Sequence, residues 1–191
     1  MTKTIRNQFD KYLTYEKLLE AHNKSKKGKC RKSEVIKFNL KQEEYIMWLY
    51  TELKNGTYKH GGYAEFYVTE PKLRKIEKSR YIDRIVHRWV VDNFLLKYFV
   101  SQFIYSSYAC IKNKGMHRAA FYVQESMRKA KKQWGEYYIL KTDVSKYFNS
   151  IDKEILLKIL CRKIKDEKLL WLIKEILFAQ KRKKGIEIGN Y

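Results

Sequence analysis

Asp143 follows the apolar run Tyr137-Tyr138-Ile139-Leu140-Lys141, and Phe148 lies five residues beyond it. A carboxylate held rigidly at the end of a strand suits magnesium, which favours carboxylates and phosphate oxygens. Two such ions can clamp the attacking and leaving oxygens of a phosphoryl transfer. Strand-end aspartates also cap the turn that follows, and this segment alone leaves both roles open. Asp152 is the competing carboxylate. It directly precedes Lys153-Glu154-Ile155-Leu156, so it is expected to cap a helix rather than bind a metal.

Three other clusters could carry chemistry. In Glu70-Pro71-Lys72-Leu73-Arg74-Lys75, Lys72 and Arg74 share a face if the chain is extended. They could then grip a triphosphate, Arg through its planar fork and Lys as a point charge. The same cations would equally suit a solvated hairpin edge. Asp83 and Arg84 could pair with each other, and His87, with no Ser or Cys nucleophile beside it, is expected to be a structural hydrogen-bonder. No hydrolase is expected. The stretch Ser107 to Ala119 mixes small, aromatic and basic residues around Gly115. Such a loop can lie against a base stack, or simply connect two helices.

Charge narrows the function class. The chain has 191 residues, with 42 Lys and Arg against 21 Asp and Glu, a formal net charge of +21. Such an excess repels itself unless a polyanion neutralises it, and nucleic acid is the expected partner through phosphate contacts. A basic soluble surface or a membrane-surface protein are the alternatives. Three scattered cysteines, Cys30, Cys110 and Cys161, have no metal-ligand spacing and fit a reducing compartment. There is no signal-type apolar core and no membrane-length apolar run, so a cytoplasmic protein without membrane contact is expected.

Hydrophobic spacing sets the elements that must position these residues. Helices are expected over Phe9 to His22, over Lys41 to Lys54 with Asn55-Gly56 ending it, and over Tyr81 to Ile104. Others should cover His117 to Lys132, the stretch after Asp152, and Asp166 to about Ala179. The basic run Lys24 to Lys32 should be a loop. Tyr63 to Thr69 alternates with period two and should pair with Leu73 to Glu77 as a basic flap. Tyr137 to Lys141 should be a short buried strand. The expected class is α+β, mostly helical.

In order, these segments resemble the reverse transcriptases of bacterial retroelements, especially those of diversity-generating retroelements, with group II intron and retron enzymes as cousins. The matching residues are Pro71-Lys72-Leu73-Arg74-Lys75-Ile76, Asp83 to His87, Ser107 to Cys110 with Lys114-Gly115 and His117-Arg118-Ala119, and Leu140 to Asp152. The resemblance implies helical fingers with a β-hairpin over 1–135 and part of a polymerase palm over 136–191, in a right-hand polymerase fold. It implies an RNA-directed DNA polymerase that uses Mg2+ to add dNTPs to a DNA or RNA primer on an RNA template. A retroelement accessory protein is a further partner.

By the same resemblance, Asp143 is the first catalytic carboxylate, and the Val144 carbonyl completes one magnesium shell. Phe148 is the ring that rejects a 2′-hydroxyl, and Lys72 and Arg74 hold the triphosphate. Ser107, Lys112, Lys114, Gly115 and His117 support the template. Gly185 and Gly189 belong to a Gly-x-Pro-x-Gly loop facing dNTP and template. Two departures stand out: Glu187 occupies the place of that loop's proline, and the Tyr/Phe-x-Asp-Asp motif with its remaining carboxylates is absent from these residues. The chain is therefore expected to be an N-terminal segment, inactive alone. The alternatives are a non-catalytic RNA-binding module, or a defence or scaffold protein reusing the fold.

Overall fold

The structure, a computed structural model, describes residues 4–71 and 73–187. It is a mixed α and β protein in two compact units. One unit runs to Tyr98 and resumes at Lys146; the other is Phe99–Ser145.

The larger unit opens with α1 (Phe9–Tyr12) and α2 (Tyr15–Lys26). The expected single helix is broken because Thr14 is extended and its hydroxyl accepts from the Lys17 amide, making it an N-cap. After the basic loop come α3 (Ser33–Leu40) and α4 (Gln42–Asn55). Gly56 ends α4 in the left-handed conformation, φ 70°, as its position suggested.

The flap forms as expected. β1 (Tyr63–Val68) pairs antiparallel with β2 (Arg74–Ser79), with Phe66 opposite Ile76 and Val68 opposite Arg74. Glu65 and Glu77 face each other directly, an unfavourable pairing. Lys75 offsets it from 2.6 Å on Glu65 and 3.8 Å on Glu77. The hairpin is open to solvent, with Phe66 and Val68 exposed.

The long helix expected from Tyr81 to Ile104 is instead α5 (Tyr81–Val90), a π turn (Val91–Leu95), α6 (Leu96–Phe99) and a 3-10 turn (Val100–Gln102). The wider π turn shifts the helical register. Phe94, which it carries, is fully buried against Trp89, Tyr12 and Phe9, with ring centroids at 5.2, 5.5 and 6.4 Å. The Trp89 indole donates to the Tyr12 carbonyl at 3.0 Å, so the core cluster leaves that donor satisfied.

The unit is completed by α8 (Tyr147–Ser150), α9 (Lys153–Lys163) and α10 (Glu167–Leu177). Asp152 caps α9, accepting from the amides of Glu154 and Ile155 at 3.0 Å each. Asp166 caps α10 through the Leu169 amide at 3.2 Å. Its other oxygen accepts from the amides of Gln8 (2.6 Å) and Phe9 (2.9 Å) at the start of α1. One buried carboxylate thus serves two helix starts, and Ile5 bridges Ile164 alongside it.

The Phe99–Ser145 unit is built on α7 (Met116–Trp134). Gly115 precedes it at φ 122°, a conformation that side chains disfavour. The strand expected over Tyr137 to Lys141 does not form, and Tyr138, Ile139 and Leu140 are exposed. A lone strand has no ladder partner to stabilise it, and among the described residues the hairpin is the only strand pair.

Candidate nucleotide and nucleic-acid interface

The clearest candidate for nucleotide contact lies around Phe148. The Ile186 amide donates to the Phe148 carbonyl at 2.8 Å, and the Gly185 amide donates to the Ile151 carbonyl at 2.8 Å. Asp152 and Lys184 form an antiparallel bridge, and the Lys153 amide reaches the Lys183 carbonyl at 3.2 Å. Two segments far apart in sequence, each carrying a predicted site residue, are thereby laced together. Gly185 sits at φ 93°, where an added Cβ would meet the Asn149 carbonyl oxygen at 3.4 Å. The backbone angle favours glycine there, while the space would accept a Cβ in ordinary contact.

Phe148 is about half exposed and, with Tyr147 and Ile186, borders an apolar cavity of about 320 Å³ whose other walls include His87, Leu160 and Ile173. The apolar lining supports the ring from behind and offers nothing to a triphosphate.

Glu187 is turned away from this surface. It is buried and pairs with Arg182 at 3.0 Å. Arg182 also grips Glu77 of β2 with both terminal nitrogens, at 3.2 and 2.5 Å, so the hairpin is tied to the Gly185 loop through one guanidinium. Burial alone would raise the Glu77 carboxyl, but the Arg182 hydrogen bond and charge outweigh it and hold the group below its usual range. Lys153 lies in the same place, fully buried, with its ammonium 3.3 Å from the Gln180 carbonyl. Burial pushes it down, and the charge of Glu187 opposes that shift. The Glu187 carboxylate thus serves an internal charge network.

Arg74 opens β2 with an exposed side chain and has no carboxylate partner among the described residues. Lys72 and Gly189 lie outside the described residues, and with Lys72 the shared face expected of Lys72 and Arg74.

Two expectations around α5 are corrected. Asp83 and Arg84 do not pair, because consecutive helix residues face different directions. Asp83 is buried and accepts from the Tyr58 hydroxyl at 2.6 Å and the Gly61 amide at 3.2 Å, while Arg84 pairs with Glu34 at 2.6 Å. His87 is not a hydrogen-bonder: it is buried with both ring nitrogens unpartnered among the described residues. It stacks on His60 at 5.2 Å, and burial, with His60 and Arg84 nearby, pushes it down to about 3.

In the Phe99–Ser145 unit, Asp143 and Val144 are exposed in a segment that is neither helix nor strand. Among the described residues no three His, Cys, Asp or Glu side chains are grouped to hold a metal ion. One exposed carboxylate and one carbonyl do not fill a magnesium shell, let alone two, so this donor set does not by itself fit the ions that the resemblance implies.

The remaining predicted template residues lie together in this unit. Ser107, Lys112 and Lys114 are in the turn-rich loop before α7, Gly115 precedes the helix, and His117 is exposed in its first turn. The Lys114 ammonium sits between two rings, 4.9 Å from the centroid of Tyr105 and 5.2 Å from that of Tyr108, and donates to the Tyr105 carbonyl at 2.5 Å. Tyr105, Tyr108 and the α7 residue Tyr122 form an aromatic cluster that sequence reading missed. Its signal, Tyr105-x-x-Tyr108 before a basic loop, was present but carries no distinctive periodicity.

No helix among the described residues is long and apolar enough to cross a membrane. No protein-family model matches the chain, and no curated protein matches it either.

Proposed function

We propose that the chain is part of an RNA-directed DNA polymerase of the right-hand type, contributing fingers and palm surfaces that hold template, primer and incoming dNTP. The observation that carries the reading is the backbone lacing of Phe148 to the Gly185–Ile186 segment. Phe148 and the buried Gly185, both assigned to the nucleotide site by the resemblance, are 37 positions apart in sequence, yet their backbone segments are laced together.

On this reading the Phe148 ring lies under the sugar and excludes a 2′-hydroxyl, while Arg74 in the open hairpin offers a fork of donors to the triphosphate. Asp143 contributes one acidic group. The described residues do not assemble the donors for two magnesium ions. The remaining carboxylates belong to the Tyr/Phe-x-Asp-Asp motif, which these 191 residues lack. A non-catalytic RNA-binding role is the second reading, favoured by the exposed basic and aromatic surface of the Phe99–Ser145 unit.

The test is photo-crosslinking of an azido-dNTP to the chain in the presence of an RNA template and a DNA primer. Label in tryptic peptides containing Arg74 or Phe148, dependent on template-primer, supports the polymerase reading. Label distributed without regard to template-primer, or absent from those peptides while RNA still binds, favours the second reading.

A further inference from the structure

We infer that the Phe99–Ser145 unit carries a stacking platform for unpaired bases, formed by the rings of Tyr105, Tyr108 and Tyr122 around the Lys114 ammonium. The inference rests on the nucleic-acid part of the reading above. It needs neither Asp143 nor any metal.

Three observations carry it. The first is geometric. The Tyr122 ring lies 5.9 Å from the rings of both Tyr105 and Tyr108, at interplanar angles of 63° and 42°. The rings therefore form a tilted cluster rather than a closed stack, and leave faces available. Lys114 touches two of them at once and is anchored on the Tyr105 carbonyl, which fixes their orientation by cation–π attraction. Pre-set rings lose little entropy on receiving a base.

The second is exposure. Tyr105 is 66% and Tyr122 is 41% exposed. A cluster of aromatic rings kept at the surface marks an interaction site more than a core.

The third is charge. Phe99–Ser145 has eight Lys and Arg against three Asp and Glu. Arg118 is one turn before Tyr122 on α7 and Lys129 is two turns after it, so both share its helical face. Met116, Ala120, Val123, Met127 and Trp134 recur on roughly the opposite face. The tyrosine cluster is thus separate from the apolar stripe that would suit a protein partner. Phosphates reaching Arg118 and Lys129, with bases laid on the rings between, match the way single strands are held without sequence preference. A duplex hides its base faces and has no use for such a platform.

The experiment uses the full chain and a short fluorescein-labelled single-stranded RNA, followed by anisotropy over a range of salt. Replacing all three rings (Tyr105→Leu, Tyr108→Leu, Tyr122→Leu) should weaken binding at least about tenfold, through loss of base stacking. The slope of log K against log salt should stay the same. The three Tyr→Phe changes keep the ring faces and should bind within about twofold of the parent. Arg118→Gln with Lys129→Gln should instead reduce the slope by about 1.4, two phosphate contacts on a single strand.

A variant-free arm uses RNA carrying 5-iodouridine, which crosslinks to stacked aromatic rings. Crosslinks are expected at Tyr105, Tyr108 or Tyr122. Ring-insensitive binding, crosslinks confined to other residues, or equal displacement by duplex RNA would each overturn the platform while leaving nucleic-acid binding intact. Absence of any RNA binding at low salt would overturn both the platform and the reading on which it rests.

Discussion

The Ile186 amide donates to the Phe148 carbonyl at 2.8 Å, and one turn of chain away Gly185 does the same to Ile151. This short ladder fixes the Phe148 backbone, and it depends on a glycine held at φ 93°. A Gly185→Ala change puts a Cβ in an unfavourable backbone region, at a cost of about 1–2 kcal/mol. Urea unfolding should show that loss, and azido-dNTP crosslinking at the Phe148 peptide should fall with it.

Arg182 joins the hairpin to the same ladder by holding Glu77 and the buried Glu187 together. Removing the guanidinium takes its ion pair from the buried Glu187 and from Glu77. Full burial would put that loss at about 3–5 kcal/mol, and partial exposure of Arg182 reduces it to about 2 kcal/mol. Arg182→Met should lower the urea midpoint accordingly and speed amide exchange in β2. A Glu187→Gln change keeps the shape and a hydrogen-bond acceptor, and should cost less.

Asp166 serves two helix starts at once, α1 through the Gln8 and Phe9 amides and α10 through Leu169. Asp166→Ala deprives both, and caps are typically worth about 1 kcal/mol each, with a further desolvation penalty for buried amides. A loss of about 3 kcal/mol is expected. Asp166→Asn keeps one acceptor oxygen and should recover part of it.

Protonation of His87 links stability to pH. Its ordinary value of 6.5 is pushed down to about 3 by burial, with His60 and Arg84 adding repulsion. The unfolded chain therefore binds the proton more readily than the folded one. The stabilising effect of a neutral His87 is complete above the unfolded value and is lost as pH falls from there toward the folded value, at up to about 1.4 kcal/mol per pH unit. Unfolding measured between about pH 6 and pH 4 should be less steeply pH-dependent in His87→Leu than in the parent. Parallel slopes would remove His87 as the cause.

Local signals were legible in the sequence. Gly56 ending α4, Asp152 and Asp166 opening α9 and α10, and the alternation of the hairpin all depend on neighbouring residues, and each is in place. Features set by distant partners were not. The π turn at Val91–Leu95 follows the packing of Phe9, Trp89 and Phe94. Helix α3 was overlooked because only Val35 and Phe38 are buried along it, in a stretch next to a basic run. The strand over Tyr137 to Lys141 was over-read, since an apolar run specifies a strand only when another strand pairs with it. Within the candidate site, Phe148 and Gly185 were named from motif alone. The inward turn of Glu187 depends on Arg182 and Lys153, which no motif marked.

On the proposed function, Phe148 selects the sugar of an incoming nucleotide. Competition of dATP and ATP against azido-dNTP crosslinking, in the presence of RNA template and DNA primer, tests it most directly. The parent chain should be displaced by dATP at a concentration at least about tenfold below that needed for ATP, a difference of about 1.4 kcal/mol. In Phe148→Ala the two should compete nearly equally. Equal competition in the parent, or a preference for dATP that survives removal of the ring, would exclude Phe148 as the sugar-selecting ring.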